Sequence, residues 1–133
     1  MAYGVQVVVP QPYGIVVDRV RYALIAEGLA IIATTDLSES LEREFGVNIP
    51  PQTVLGVCSP PLAQAALQAD PSVGLLVPCN IVVRAEAVDV TVVEAAKPCM
   101  MVAITGNNAL KTVAADATAR ITAAFSRLTD DDD

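Results

Sequence analysis

Histidine is absent from this chain, and that absence removes much familiar chemistry. A Ser-His-Asp or Cys-His nucleophile, a His-ligated zinc and a His-ligated haem all require an imidazole. Any catalysis must then draw on thiol, carboxylate, amine or phenol. Basic residues are also few: eight Lys and Arg, scattered along the chain, form no stripe able to neutralise phosphates, so nucleic acid is not an expected partner. No window reaches the ~18 consecutive apolar residues of a membrane span, so no membrane partner is expected. The start, Met1-Ala2-Tyr3-Gly4, lacks the charged and apolar segments of a signal peptide. The three cysteines are odd in number and irregularly spaced, which fits free thiols in a reducing compartment better than a disulfide framework. The expected location is therefore cytoplasmic. Gly4 and Gly14 belong to no phosphate loop, since neither GxGxxG nor a Lys-Ser/Thr after a glycine-rich turn occurs.

What is present is a folded domain. At 133 residues, with 53% hydrophobic and 17% charged residues, the chain can bury a core without disulfides or metal. The formal charge of −7 includes four aspartates at Asp130–Asp133, and without them it is about −3. That run follows the negative end of a helix dipole, so it is expected to be a disordered acidic tail on a single domain over residues 1–129. No internal repeat or linker is visible.

Hydrophobic period sets the elements. Tyr3 to Val9 alternates loosely and reads as a strand. Over Pro12 to Glu27, Val16, Val17, Val20, Ala23 and Leu24 recur at helical spacing, and Gly28 supplies the left-handed stop. The apolar run Leu29 to Thr34 reads as a buried strand. Asp36 and Glu39 resemble a capping box for a short helix through Phe45. Thr53 to Val57 is a strand in which Gly56 lets a neighbour approach the backbone. Ser59 and Pro60 open a short alanine-rich helix to Ala69. Cys79 to Glu86 alternates, with Cys79, Ile81, Val83 and Ala85 facing the core and Asn80, Arg84 and Glu86 facing away. A turn near Ala87 to Asp89 then gives an antiparallel hairpin with Val90 to Ala95. Cys99 to Ile104 reads as a last strand. From Leu110, the stripe Val113, Ala114, Ala117, Ile121, Ala124, Phe125 and Leu128 marks one long amphipathic helix that must lie along a sheet. The expected architecture is α+β: a mainly antiparallel sheet covered on one face by two long helices.

The central residues carry a resemblance. Leu55-Gly56-Val57-Cys58-Ser59-Pro60, then Ala63 to Leu67, then Asp70-Pro71-Ser72-Val73-Gly74-Leu75-Leu76-Val77-Pro78-Cys79 and Ile81-Val82-Val83 resemble the core signature of the DUF302 family, an uncharacterised group of small bacterial and archaeal domains. The likeness runs from Tyr3 to Leu128. It implies a TBP-like α+β fold with a curved sheet, and a homodimer. It brings no established activity and no cofactor.

Chemistry therefore has to be sought in the thiols. Cys58 closes a strand just before a helix start, although Pro60 and Pro61 remove two of the free donors that make such a start attractive to anions. Cys79 opens a strand on its apolar face. The ordinary reading is that both fill space, since free cysteines are often buried as small hydrophobes. The sharper reading is a shared pocket, with Cys58 and Cys79 as ligand or metal residues and Gly56 and Asn80 beside them. On a strand, Cys99 and Met101 would share one face, an arrangement suited to copper(I). Glu39, Glu42, Arg43 and Glu44 read as a solvated helix surface. Glu86 and Asp89 are turn residues, and Tyr3, Tyr13 and Tyr22 are packing residues with a wet hydroxyl.

Whether the protein is an enzyme stays open at this level. The expectation is a non-enzymatic binding module for a small apolar or thiophilic-metal ligand near Cys58 and Cys79. A thiol redox enzyme using the same pair is the first alternative, and a structural homo-oligomer the second.

Overall fold

Alternation in the valine-rich start yields strand β1, Gly4–Val9, and the helical stripe after it yields α1, Tyr13–Ala26. The chain continues through β2 (Ala30–Asp36), α2 (Leu37–Phe45), β3 (Gln52–Cys58), α3 (Pro60–Ala69), β4 (Cys79–Ala87), β5 (Val90–Ala96), α4 (Met100–Thr105) and α5 (Lys111–Asp130), in a computed structural model that describes residues 3–130. The expected acidic tail lies, from Asp131 onward, outside the described residues.

The strands form one sheet in the order β1-β5-β4-β3-β2, with every neighbouring pair antiparallel. The β4–β5 hairpin and the connections through α2 and α3 join adjacent strands. In contrast, β1 and β2 occupy opposite edges, so α1 has to cross the sheet between them. It packs there beside α5. Arg120 of α5 donates to the Glu27 carbonyl at 2.7 Å, just before Gly28, whose φ of +80° turns the chain out of α1.

The core lies between this helix pair and one sheet face. Leu55 and Val57 of β3, Ile81 and Val83 of β4 and Val93 of β5 meet Val16, Val20 and Leu24 of α1 and Ile121 and Leu128 of α5. The other face is polar at its centre, where Arg84 donates to Glu94 at 2.9 Å and to Glu86 at 2.6 Å. A second, smaller cluster joins Ala66 of α3, Val73 of the turn Pro71–Leu75, Met101 of α4, Leu110 just before α5 and Val113 in its first turn.

Two expectations need correction. Residues 99–104 are not a strand: Met100–Thr105 is the helix α4, bracketed by Pro98 and by Gly106 at φ +66°. A six-residue apolar run carries too little periodicity to separate strand from buried helix. Both sides of β5 are already paired, to β1 and β4, so a following segment finds no free partner beside it. Nor is the Leu29–Thr34 run buried. It forms the edge strand β2, broken by a bulge between Ile31 and Ala33, and Ile32 is 58% exposed. Of this run only Leu29, which precedes β2, and Ile31 pack into the main cluster.

Asp36 caps α2 by accepting from the Glu39 N–H at 2.9 Å, and this bond holds its carboxyl below the usual value. Ile81, fully buried at the centre of the sheet, gives the fold its simplest check. Ile81→Ala is expected to cost ~2–5 kcal/mol in urea unfolding, and a loss below about 1 kcal/mol would show that the core does not centre there.

Candidate functional site

The ladder between β3 and β4 decides where the sulfurs go. Val57 pairs with Cys79 and Gly56 with Asn80. Directly opposed residues share a face, so Cys79 lies on the core side with Val57 and packs against the main cluster. Cys58 is the last residue of β3, where the strand gives way to α3. Both cysteines line one cavity of about 30 Å³.

That cavity sits where the two core clusters meet. Leu29, Val57 and Ile121 contribute from one, and Leu62, Val77, Met101 and Val113 from the other. Its size limits what it can hold. A water requires ~10–15 Å³ and two to four polar partners, while organic ligand pockets run to ~300–1,000 Å³. The space therefore suits one or two heavy atoms, and the lining, almost all carbon and sulfur, does not suit water.

Burial, and then its electrostatic interaction with the nearby Cys58, push the Cys79 thiol above its ordinary value. At neutral pH Cys79 is accordingly a neutral thiol, inert as a nucleophile until something displaces its proton.

The other proposed residues lie elsewhere. Gly56 is buried, but what approaches its backbone is the protein itself: a Cβ there would lie 3.1 Å from Pro78 Cγ and 3.2 Å from Ala33 Cβ. Its contribution is to let Pro78, immediately before Cys79, close on the sheet. Asn80 is exposed and borders shallower clefts with Lys97 and Arg84 rather than the sulfur cavity. Cys99 is exposed at the N-cap of α4. The expected sharing of a face by Cys99 and Met101 fails with the strand, since residues two apart on a helix point apart.

Met101, which the sequence pairs with Cys99, stands instead with Cys58 and Cys79. It is 5% exposed and lines the cavity with Cys58 and Cys79. Pro98 ahead of the run and Gly106 after it were the available helix signals. Among the described residues, no three His, Cys, Asp or Glu cluster as a metal group. The soft donors here are two cysteines and a thioether. Among the described residues no helix is long and apolar enough to cross a membrane.

A five-stranded antiparallel sheet with two long helices on one face and a small sulfur-lined cavity at one end defines an α+β domain. The family described as "Domain of unknown function DUF302" matches residues 5–128, and the chain belongs to it. The fold is similar to the crystal structure of an uncharacterized conserved protein DUF302 from Bacillus stearothermophilus, at 29% identity and a TM-score of 0.86 over 96% of this chain and 99% of that one. Comparison with curated proteins gives no match.

The raised Cys79 value has a thermodynamic consequence. The folded state holds this proton more tightly than the unfolded chain does, so its stabilising contribution is complete below the ordinary thiol range and is lost as pH rises through the raised value. Urea midpoints followed from pH 7 into the alkaline range should fall more steeply for the wild type than for Cys79→Val. Parallel curves would show that Cys79 is not held in a desolvated position.

Proposed function

We infer that the domain is a non-enzymatic binding module for a single soft metal ion, Cu(I), held by Cys58 and Cys79 with Met101 as a third sulfur. The observation that carries this reading is the sharing of one cavity by three sulfur side chains from three elements, in a space of about 30 Å³. Thiolate and thioether donors favour Cu(I) over harder ions. Zinc asks for about four N, S or O ligands, which this lining does not offer.

Volume separates this reading from a small apolar ligand, which needs roughly ten times the space. Register separates it from a thiol redox pair. Cys58 and Cys79 are offset by one residue along the ladder, and Cys79 stands opposite Val57 instead. A disulfide needs Cβ atoms aimed at each other across a ~2.05 Å bond. An ion bridging two sulfurs at roughly 2.3 Å each tolerates a separation about twice as large. The raised Cys79 value also disfavours spontaneous thiolate attack. A metal overcomes it by displacing the proton as it binds, so uptake should release acid.

Anaerobic titration of the reduced protein with Cu(I) against a coloured competing chelator provides the test. One equivalent should bind. Cys58→Ser and Cys79→Ser should each weaken binding by at least about tenfold, and Cys99→Ser should leave it unchanged. Binding that depends on Cys99 alone, or none in the wild type, would contradict the reading.

A further inference from the structure

The sulfur cavity has an outer neighbour. A cleft of about 230 Å³ between the start of β4, the end of β5 and α4 is lined by Pro78, Asn80, Lys97, Met100 and Ile104, and it shares Cys79 and Met101 with the inner cavity. Two residues that border both spaces form the wall between them. Cys79 is only partly buried, as it must be if one side of it faces this cleft.

The mouth has a definite chemical character. Ile104 and Leu75 are 62% and 88% exposed, and Met100 is partly so. Lys97 is the one charged residue among those lining the cleft. An apolar, sulfur-bearing opening with a lone ammonium is complementary to a compact anion with soft character.

We propose that this cleft is the entrance to the sulfur cavity, and that it accepts Cu(I) as an anionic complex with low-molecular-weight thiols. The proposal rests on the reading of the inner cavity as a Cu(I) site. Two thiolates on one Cu(I) carry a net charge of −1 before any other group on the thiol is counted, which matches Lys97. At about 230 Å³ the cleft can take in part of a small thiol complex, the rest staying in solvent, and no folded carrier protein. Transfer is ligand exchange without redox change: a Cu–S bond to the protein forms as a Cu–S bond to the carrier breaks, and the proton leaving the protein thiol goes to the departing carrier sulfur. Copper stays Cu(I) throughout. Met101, on the shared wall, is placed to hold the ion between carrier and Cys79.

Two rates test this, one of them without metal. In a Cys58→Ser/Cys99→Ser background, alkylation of Cys79 by neutral iodoacetamide, run at alkaline pH and compared at equal thiolate fraction, reports access. In the otherwise unaltered protein, stopped-flow uptake from a Cu(I)–glutathione complex reports transfer. Ile104→Trp, a surface change that fills the mouth, should slow both by about tenfold or more. Lys97→Glu should slow uptake from the anionic complex and leave neutral alkylation unchanged. Wild-type rates in Ile104→Trp for both would overturn the entrance while leaving the inner site standing. Slowed alkylation in Ile104→Trp, with no Cu(I) uptake by the wild type, would keep the entrance and overturn both the ion and its carrier.

Discussion

Pairing of Val57 with Cys79 is the constraint on which the sulfur geometry depends. It fixes the register of β3 against β4, and with it the face that each residue of β4 presents. A slip of one residue would send Cys79, Ile81 and Val83 to the polar side and bring Asn80, Val82 and Arg84 into the core. Nothing in the backbone hydrogen bonds alone forbids that slip. What forbids it is the burial of Ile81 and Val83 against α1 and α5, together with the close fit of Pro78 over Gly56. The residue just before Cys79 is thus pinned from outside, and the residues just after it are pinned from the core.

The second determinant is where the core stops. The long helices and the sheet make one cluster, and α3, α4 and the start of α5 make another. Protein interiors fill space at crystal-like density, so voids are few and a seam between two packed clusters is a natural place for one. The sulfur cavity occurs at such a seam. Its size then does the discriminating, because a space that fits one or two heavy atoms is too small for a metabolite and too apolar for water. Sulfur lining a space of that size, with one thiol whose proton is held by burial, is the arrangement behind the proposal of a soft cation.

Much of this fold was legible in the sequence because long elements average out local ambiguity. The stripe from Leu110 to Leu128 and the helix ending at Gly28 have enough turns to fix their period, and the alternation from Cys79 to Ala85 has enough residues to fix its inward face. Shorter runs failed in instructive ways. The segment 99–104 was a short apolar run holding Val102 and Ile104 among helix-favouring Met and Ala, and the sheet's topology, with β5 already flanked on both sides, shows why it could not be a strand. That error gave Met101 the wrong partner, Cys99 in place of Cys58 and Cys79. Similarly, Leu29 to Thr34 carried the apolar run of a central strand, but position at a sheet edge is not written in a segment's own residues. The 21 residues separating Cys58 and Cys79 could not show that both line one cavity; that follows from where β3 ends and β4 begins, while Gly56 and Asn80 fall in other surroundings.

The central claim concerns the donors around one ion, so X-ray absorption at the copper edge of the Cu(I)-loaded protein addresses it most directly. The account predicts a shell of sulfur alone at roughly 2.3 Å, with fewer sulfur neighbours in Met101→Leu. A shell containing nitrogen or oxygen, or a sulfur count unaffected by replacing Cys58 or Cys79, would contradict it.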